Sequence, residues 1–335
     1  MELLINREVL VVKEILIDRN EHNQRIDRFL KKYLPDASLS FIYKMLRKKN
    51  IKLNGSKAKP EDIIKENDTI QLYLSDETIN KFMARPKEII KAKDINIIYE
   101  DDNIVLINKP KGILSHGTGK NYENNVVDSL ISYLYEKKEY NPRLEKTFTP
   151  SICNRLDRNT SGIIIGAKNF TALQLINEAI RDGQIKRYYK CIVKGNIEKG
   201  KELKGFLTKD EEKNEVQITQ RMVEGSKEIH TIVNPIITNG QYSLIEIDLI
   251  TGRTHQIRAH LSSIGHPIVG DIKYGSKQIN EKFKREFNLR SQFLYAYKVE
   301  FKGLKDSLEY LNGKGFVVQG DEELINIEKN LFNKL

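Results

Sequence analysis

Three short stretches of this 335-residue chain concentrate polar and ionisable side chains between apolar runs. They are Asn108-Lys109-Pro110-Lys111-Gly112 through His116, Asn154-Arg155-Leu156-Asp157 through Gly162, and Thr251-Gly252-Arg253-Thr254-His255-Gln256-Ile257-Arg258. Each stands at a strand edge or a helix start, where a rigid scaffold presents side chains to a ligand. In the middle stretch, Asp157 lies in a polar turn just before the apolar run Ile163-Ile164-Ile165. A carboxylate so placed must be solvated or matched by cations, because an unpaired buried charge is very costly. Arg155 and Arg158 are local partners, and Arg258 is a distant one. By residue type Asp157 is either a structural Asp capping a turn or a functional carboxylate. The company of Arg155, Thr160, Ser161 and Gly162 favours the second.

Other chemistries fail on spacing. His116-Gly117-Thr118-Gly119-Lys120-Asn121 has the look of a phosphate loop, but that loop needs Gly at position 114 and Ser or Thr at 121, where Leu114 and Asn121 stand. His255, His260 and His266 have Arg253 and Arg258 interleaved and no Cys nearby, which argues against zinc. No Gly-x-Ser-x-Gly elbow occurs. No metal and no cofactor are expected. Two cysteines, Cys153 and Cys191, make neither a disulfide framework nor a metal cluster, and read as reduced thiols. The first residues lack the pattern of a signal peptide, and no stretch approaches the roughly 20 apolar residues that span a bilayer. A cytoplasmic, membrane-free protein is the expectation.

The elements that must carry these stretches follow from periodicity. Ile26, Phe29, Leu30 and Tyr33 share one helical face, and Pro35 ends that helix. Leu39, Ile42, Tyr43 and Leu46 repeat the spacing after Ser38. Ile51 and Leu53 alternate up to Asn54-Gly55, a tight-turn signal, and Ile70, Leu72 and Leu74 alternate again. This makes a small module of two helices and a hairpin over residues 22–80, after an extension at 1–21. Residues 81–94 read as a linker. Beyond it, over 95–325, apolar strand candidates (Ile95–Tyr99, Ile104–Ile107, Ile163–Ile165, Tyr189–Val193, Leu244–Ile250) outnumber helices. One helix follows Phe170, with Ala172, Leu175, Ile176 and Ala179 inward and Gly183 past its end; another runs from Thr254 to Ile264. The pattern predicts an α+β protein with a mixed or antiparallel sheet.

Charge points to the partner. Fifty-six Lys and Arg against 46 Asp and Glu leave a net +10, which favours a polyanion through counterion release. An unspecific basic surface is the alternative. Between Ala37 and Pro60 stand Lys44, Arg47, Lys48, Lys49, Lys52, Lys57 and Lys59 without one Asp or Glu, so a phosphate-binding face is favoured over an ordinary solvated one.

These residues carry a resemblance. Asn154-Arg155-Leu156-Asp157-Arg158-Asn159-Thr160-Ser161-Gly162 resembles the His-Arg-Leu-Asp-x-x-Thr-Ser-Gly signature of the RluA-type pseudouridine synthases. Asn108-Lys109-Pro110-x-Gly112 with His116 is similar to that family's first motif, and Tyr189-Lys190-Cys191 to its Tyr-x-Ala segment. Thr251 through His260, then Gly265-His266-Pro267-Ile268 and Gly270-Asp271, resembles its last long motif. The likeness runs from about Ile95 to Lys302. Arg25 to Leu30 and Ile51 to Gly55 resemble the small RNA-binding domain first known from ribosomal small-subunit protein four. Together the two parts look like the subgroup that modifies large-subunit ribosomal RNA. Asn154 and Tyr295 depart from positions where the family commonly has His.

The resemblance implies an isomerase that moves ribose from a ring nitrogen of uracil to a ring carbon without cofactor or metal. It places the essential carboxylate at Asp157, as nucleophile or as base on the ribose. Arg258 would hold that carboxylate. Tyr189 would sit against the target base, although its strand position also suits a core tyrosine. Arg155 would fill the space of the flipped nucleotide, and Lys109 and Arg253 would make phosphate or structural contacts. RNA is the expected partner of a monomer. A transfer-RNA substrate, and a non-catalytic RNA-binding or assembly factor on the same fold, are the rival readings.

Overall fold

The computed structural model describes residues 12–83, 95–117, 124–142, 147–210 and 215–332. It begins with β1 (Lys13–Leu16), β2 (Gln24–Arg25), α1 (Ile26–Tyr33), α2 (Leu39–Arg47), β3 (Ile51–Leu53), β4 (Ser56–Lys57), β5 (Ile63–Ile64), β6 (Thr69–Leu72) and α3 (Asp76–Phe82). Asn54 and Gly55, at φ 50° and 74°, form the left-handed pair that a two-residue hairpin needs, so β3 and β4 meet at the predicted turn. The sheet order is β1-β6-β3-β4. Its first strand belongs to the stretch read from sequence as an extension. Pairing with β6 and burial of Ile15 beside Ile70 and Leu72 draw it into this core. The polar segment expected to link the domains likewise begins inside a helix: the Ser75 side chain caps α3 by accepting from Thr78 N–H, and Ile79 and Phe82 join the core. Residues 84–94, most of the expected linker, lie outside the described residues.

Helix α1 buries its predicted stripe of Ile26, Phe29 and Leu30. Helix α2 is rotated from expectation: Ile42, Met45 and Leu46 are inward, while Leu39 and Tyr43 are exposed at 48% and 41%. Tyr43 turns aside to donate its hydroxyl hydrogen to Asp27 at 3.2 Å. On the outer side, Lys44, Arg47, Lys48, Lys49, Lys57 and Lys59 are exposed. Lys52 is half-buried, its ammonium 4.7 Å from the centre of the Tyr73 ring.

The second part contains β7 (Ile97–Glu100), β8 (Ile104–Lys109), α4 (Val126–Glu136), β9 (Ser151–Ile152), β10 (Ser161–Ala167), α5 (Phe170–Arg181) and β11 (Ile185–Lys194). It continues with β12 (Lys201–Asp210), β13 (Glu215–Thr219), β14 (Lys227–Thr238), β15 (Tyr242–Leu249), α6 (Gln256–Ser263), α7 (Lys277–Phe287), β16 (Leu294–Phe301), β17 (Gly315–Val317) and α8 (Glu322–Phe332). By contacts the chain divides into two units, and Leu134–Pro150 and Asn169–Thr171 group with the N-terminal one. Among the described residues, no helix is long and apolar enough to cross a membrane.

The second unit is built on one sheet, ordered β13-β12-β14-β15-β11-β16-β10-β8-β7, with β17 beside β16 and β9 beside β10. It is mixed, because β10 runs parallel to β16 and antiparallel to β8. Helix α5 lays Ala172, Ile176 and Ala179 over Ile104, Leu106, Ile163 and Ile165, as its spacing predicts. The chain is α+β, and the centre of this sheet is where the polar stretches meet. Gly162 shows how close that meeting is. It sits at φ 114°, and a Cβ there would lie 2.1 Å from the Ala296 carbonyl oxygen, so β10 and β16 can join only over a residue without a side chain.

Candidate active site

Asp157 is held by backbone before it is held by charge. Asn154 is buried and acts as a short strand-like clamp: its amide donates to Ile163 O at 3.2 Å and accepts from Ile165 N at 2.8 Å, fixing the turn to β10. The Ser115 hydroxyl donates to Leu156 O at 2.7 Å and accepts from Leu156 N at 3.0 Å, tying the first polar stretch to the second. Thr160 N closes the turn on Asp157 O at 3.0 Å. The Asn154 position, where the resembling family commonly has His, thus serves the backbone. Tyr295, the other departure, is buried on β16 against Phe293 and Tyr297.

The carboxylate of Asp157, one-quarter exposed, accepts from Arg258 Nη1 on Oδ2 at 2.9 Å. Arg258 is itself clamped from behind. Its Nε and Nη2 donate to the two oxygens of Asp271 at 2.7 and 2.9 Å, and Asp271 is fully buried. Burial alone would lower the guanidinium pKa, but the Asp271 bonds and the charges of Asp271 and Asp157 outweigh it and raise it. The result is a cation that cannot lose its proton, forked on one acid and presenting its remaining edge to the other. Arg258 is the third residue of α6, near its positive end, so both carboxylates offset a helix-dipole effect that the arginine would otherwise oppose.

Helix α6 starts two residues later than its sequence pattern suggests. His255, at φ 53°, takes the left-handed conformation and breaks the helix there. Gln256 then anchors the loop. Its carbonyl oxygen accepts from the Thr251 hydroxyl and from Arg253 N, and its amide donates to His230 O and to the Thr231 hydroxyl. The three histidines of this stretch go to separate partners: His255 to the Tyr274 hydroxyl, His260 to Thr231, and His266 to Lys194 O.

Tyr189 on β11 is buried, and burial raises its phenol pKa, while the nearby Arg187 charge pulls the other way and Asp157 adds to the rise. Arg187, Asn154 and Tyr189 line a small cavity together. Arg187 is also buried. Its Nη2 donates to Leu249 O and Ile250 O, and its Nε has no partner among the described residues. A Cβ on Gly252 would stand 3.0 Å from its Nη1, so the third polar stretch passes close to this guanidinium.

Of the residues singled out from sequence, the structure brings Asp157 and Arg258 into contact, and the charge of Asp157 reaches Tyr189. Arg155 and Arg253 are exposed. Of the two roles expected for Lys109, phosphate contact or structural contact, its geometry is that of the second. It is completely buried, and its ammonium donates to Pro110 O, Ile113 O and Arg158 O at 2.8–2.9 Å. Those bonds use all three hydrogens, so Lys109 joins the first polar stretch to the Asp157 loop and has none left for a phosphate. Burial lowers its pKa to about 8, against the pull of Asp157. Asp271, His255 and Arg187 were not assigned roles from sequence. The Gly270-Asp271 pair was the available signal for the first, since an acid drawn into the core after an apolar stretch requires a cation.

Comparison with known proteins agrees with this geometry. The family pattern described as RNA pseudouridylate synthase matches residues 103–263, and that of the S4 domain matches residues 24–70. An uncharacterised RNA pseudouridine synthase of Mycoplasma capricolum is 32% identical over 312 residues, covering 92% of this chain and 98% of that one. The ribosomal large subunit pseudouridine synthase C of Pasteurella multocida is 31% identical, covering 90% of this chain and 88% of that one. In fold, the human RNA pseudouridylate synthase domain containing 4 aligns with a TM-score of 0.54 at 21% identity, over 70% of this chain and 92% of that one. The clamped carboxylate, the order of the polar stretches and these likenesses lead to one conclusion: the chain belongs to the RNA pseudouridine synthase family and carries an S4 domain.

Proposed function

We propose that this enzyme isomerises uridine to pseudouridine in large-subunit ribosomal RNA, with Asp157 as the catalytic residue. The observation that carries the assignment is the Asp157–Arg258–Asp271 array, in which one charge-assisted bond of 2.9 Å orients an otherwise accessible carboxylate. The reaction conserves atoms: the bond from C1′ to N1 breaks, the base turns, C1′ joins C5, the C5 proton leaves and N1 gains one. Asp157 acts on the ribose, as nucleophile or as base. Tyr189 lies against the turned base, its phenol kept neutral by burial. No electrons are transferred and no group is lost, so the proposed step calls for no redox cofactor.

Exposed Arg155, two residues from Asp157, is suited to occupy the gap left by a flipped nucleotide, offsetting part of an unstacking cost of a few kcal/mol. Exposed Arg253, on the loop before α6, is suited to contact phosphate. Exposed Lys44, Arg47, Lys48 and Lys49, with Lys52, supply phosphate contacts on the N-terminal unit; these raise affinity without reading bases. Relatives named for the ribosomal large subunit support the choice of RNA. Tritium release from unmodified large-subunit ribosomal RNA labelled at carbon 5 of uracil, compared between wild type and Asp157→Asn, tests the reading. Release by wild type alone is expected. Release from transfer RNA only would move the substrate, and silence on both would leave a binding factor.

A further inference from the structure

Asp157 has a second neighbour on the oxygen that Arg258 holds. His255 Nε2 stands 3.9 Å from Asp157 Oδ2, and the other ring nitrogen, Nδ1, is 2.9 Å from the Tyr274 hydroxyl. That hydroxyl accepts from Val216 N at 2.9 Å. Among the described residues the phenol has these two partners, and it owns one hydrogen. The backbone N–H takes one of the two lone pairs of the phenol oxygen, and in the tautomer we assign to this pair the phenol hydrogen goes to Nδ1. This leaves the imidazole neutral, with its proton on Nε2, the nitrogen nearer the carboxylate.

Three observations support a purpose for this arrangement. His255 takes a left-handed backbone conformation, φ 53° and ψ 14°, which residues other than Gly and Asn seldom adopt, and which places the ring at the mouth of α6. The Tyr274 ring serves twice, bonded to His255 and lying 5.2 Å from the Arg258 guanidinium. Tyr274 is also placed by Asp271, whose Oδ1 accepts the Tyr274 N–H at 3.1 Å. The groups that fix Arg258 therefore also fix His255.

We propose that His255 is a positioning residue for the isomerisation: its Nε2–H closes on Asp157 Oδ2 when RNA binds, so that Oδ2 is held by two donors and Oδ1 is the oxygen that meets the ribose. The proposal rests on Asp157 being the reacting carboxylate. Catalytic hydrogen bonds are commonly longer before substrate binds, and 3.9 Å is within one such adjustment. A neutral ring donates from Nε2 without adding a second full charge beside Asp157, which would weaken that carboxylate as nucleophile or base. Burial lowers its pKa, the charges of Arg258 and Lys273 act in the same direction, and Asp157 and Asp271 oppose them. The imidazole therefore stays uncharged down into the range where a free histidine takes up a proton.

The test is single-turnover tritium release across pH, with RNA affinity measured in parallel, for Asp157→Asn, His255→Gly, His255→Gln and Tyr274→Phe. His255→Gly relieves the backbone strain, so a purely structural histidine predicts an unchanged or faster enzyme. Positioning predicts a plateau rate lower by about 10–100-fold with unchanged affinity, and partial recovery in His255→Gln, whose amide N–H reaches the Nε2 place. Tyr274→Phe removes the donor that favours the neutral ring, so its acid limb should move to higher pH. A wild-type plateau rate in His255→Gly, a loss confined to affinity, or a Tyr274→Phe profile that superimposes on wild type would each overturn the proposal. None of these touches the Asp157 assignment, which falls instead if Asp157→Asn turns over.

Discussion

Asp271→Asn is the substitution that most directly probes how the proposed catalytic carboxylate, Asp157, is held. The change keeps the shape and removes one buried charge. In the native protein Asp271 Oδ1 accepts Arg258 Nη2 and the N–H groups of Lys273 and Tyr274, at 2.9, 2.9 and 3.1 Å, while Oδ2 accepts Arg258 Nε at 2.7 Å. The single oxygen of Asn will stay with the three donors. Its NH2 group must then face the Nε–H of Arg258, donor against donor. One charge-assisted bond worth roughly 1.5–3 kcal/mol is lost. Because the guanidinium is buried and now has one carboxylate instead of two, the whole cost should reach about 3–5 kcal/mol. Freed from its rear clamp, Arg258 no longer presents Nη1 squarely to Asp157, and a displacement of about 1 Å there is worth roughly 100-fold in rate. Urea unfolding followed by circular dichroism measures the first effect, and single-turnover tritium release measures the second. A loss of stability below about 1 kcal/mol together with a wild-type rate would refute the argument that Asp271 aims Arg258.

Other consequences can be checked separately. His260 is buried, and burial lowers its pKa to about 4 from 6.5, so it folds neutral. The stability this represents is complete above pH 6.5 and is lost as pH falls toward 4, on the order of 3 kcal/mol. The acid side of the urea midpoint against pH should flatten in His260→Gln. Gly162→Ala forces a Cβ onto the Ala296 carbonyl and a left-handed φ on an L-residue, so it should destabilise by more than about 3 kcal/mol; soluble protein with a native urea midpoint would contradict the close approach. Replacing Lys44, Arg47, Lys48 and Lys49 by Gln should reduce the slope of log K against log salt by roughly 2–4 in RNA titrations and leave bound-state turnover intact. An unchanged slope would move the RNA contact off that face.

Much of the local structure was legible from residue order because it depends on neighbours in the chain. The stripe of α1, the Asn54-Gly55 turn and the inward side of α5 each follow from spacing or backbone preference within a dozen residues. The polar stretches could also be found, and with the resemblance Arg258 could be matched to Asp157. Helix α2 shows the limit: Ile42 and Leu46 went inward as read, but Tyr43 left the apolar stripe for Asp27, a partner 16 residues away. At the site the limit is sharper. Lys109 is a cation of the same residue type as Lys44. Only the convergence of three carbonyls from two loops decides between its two expected roles and makes it a buried clamp. Asp271 and His255 were visible as letters, but their roles depend on distances set by the Asp157 turn, the start of α6 and the loop after it. Sequence alone determined which residue types and which local elements were available at the centre of the sheet. The tertiary structure decided which charges are paired, which are buried and which oxygen of Asp157 stays open, because pairing and desolvation act through space between segments about 100 residues apart.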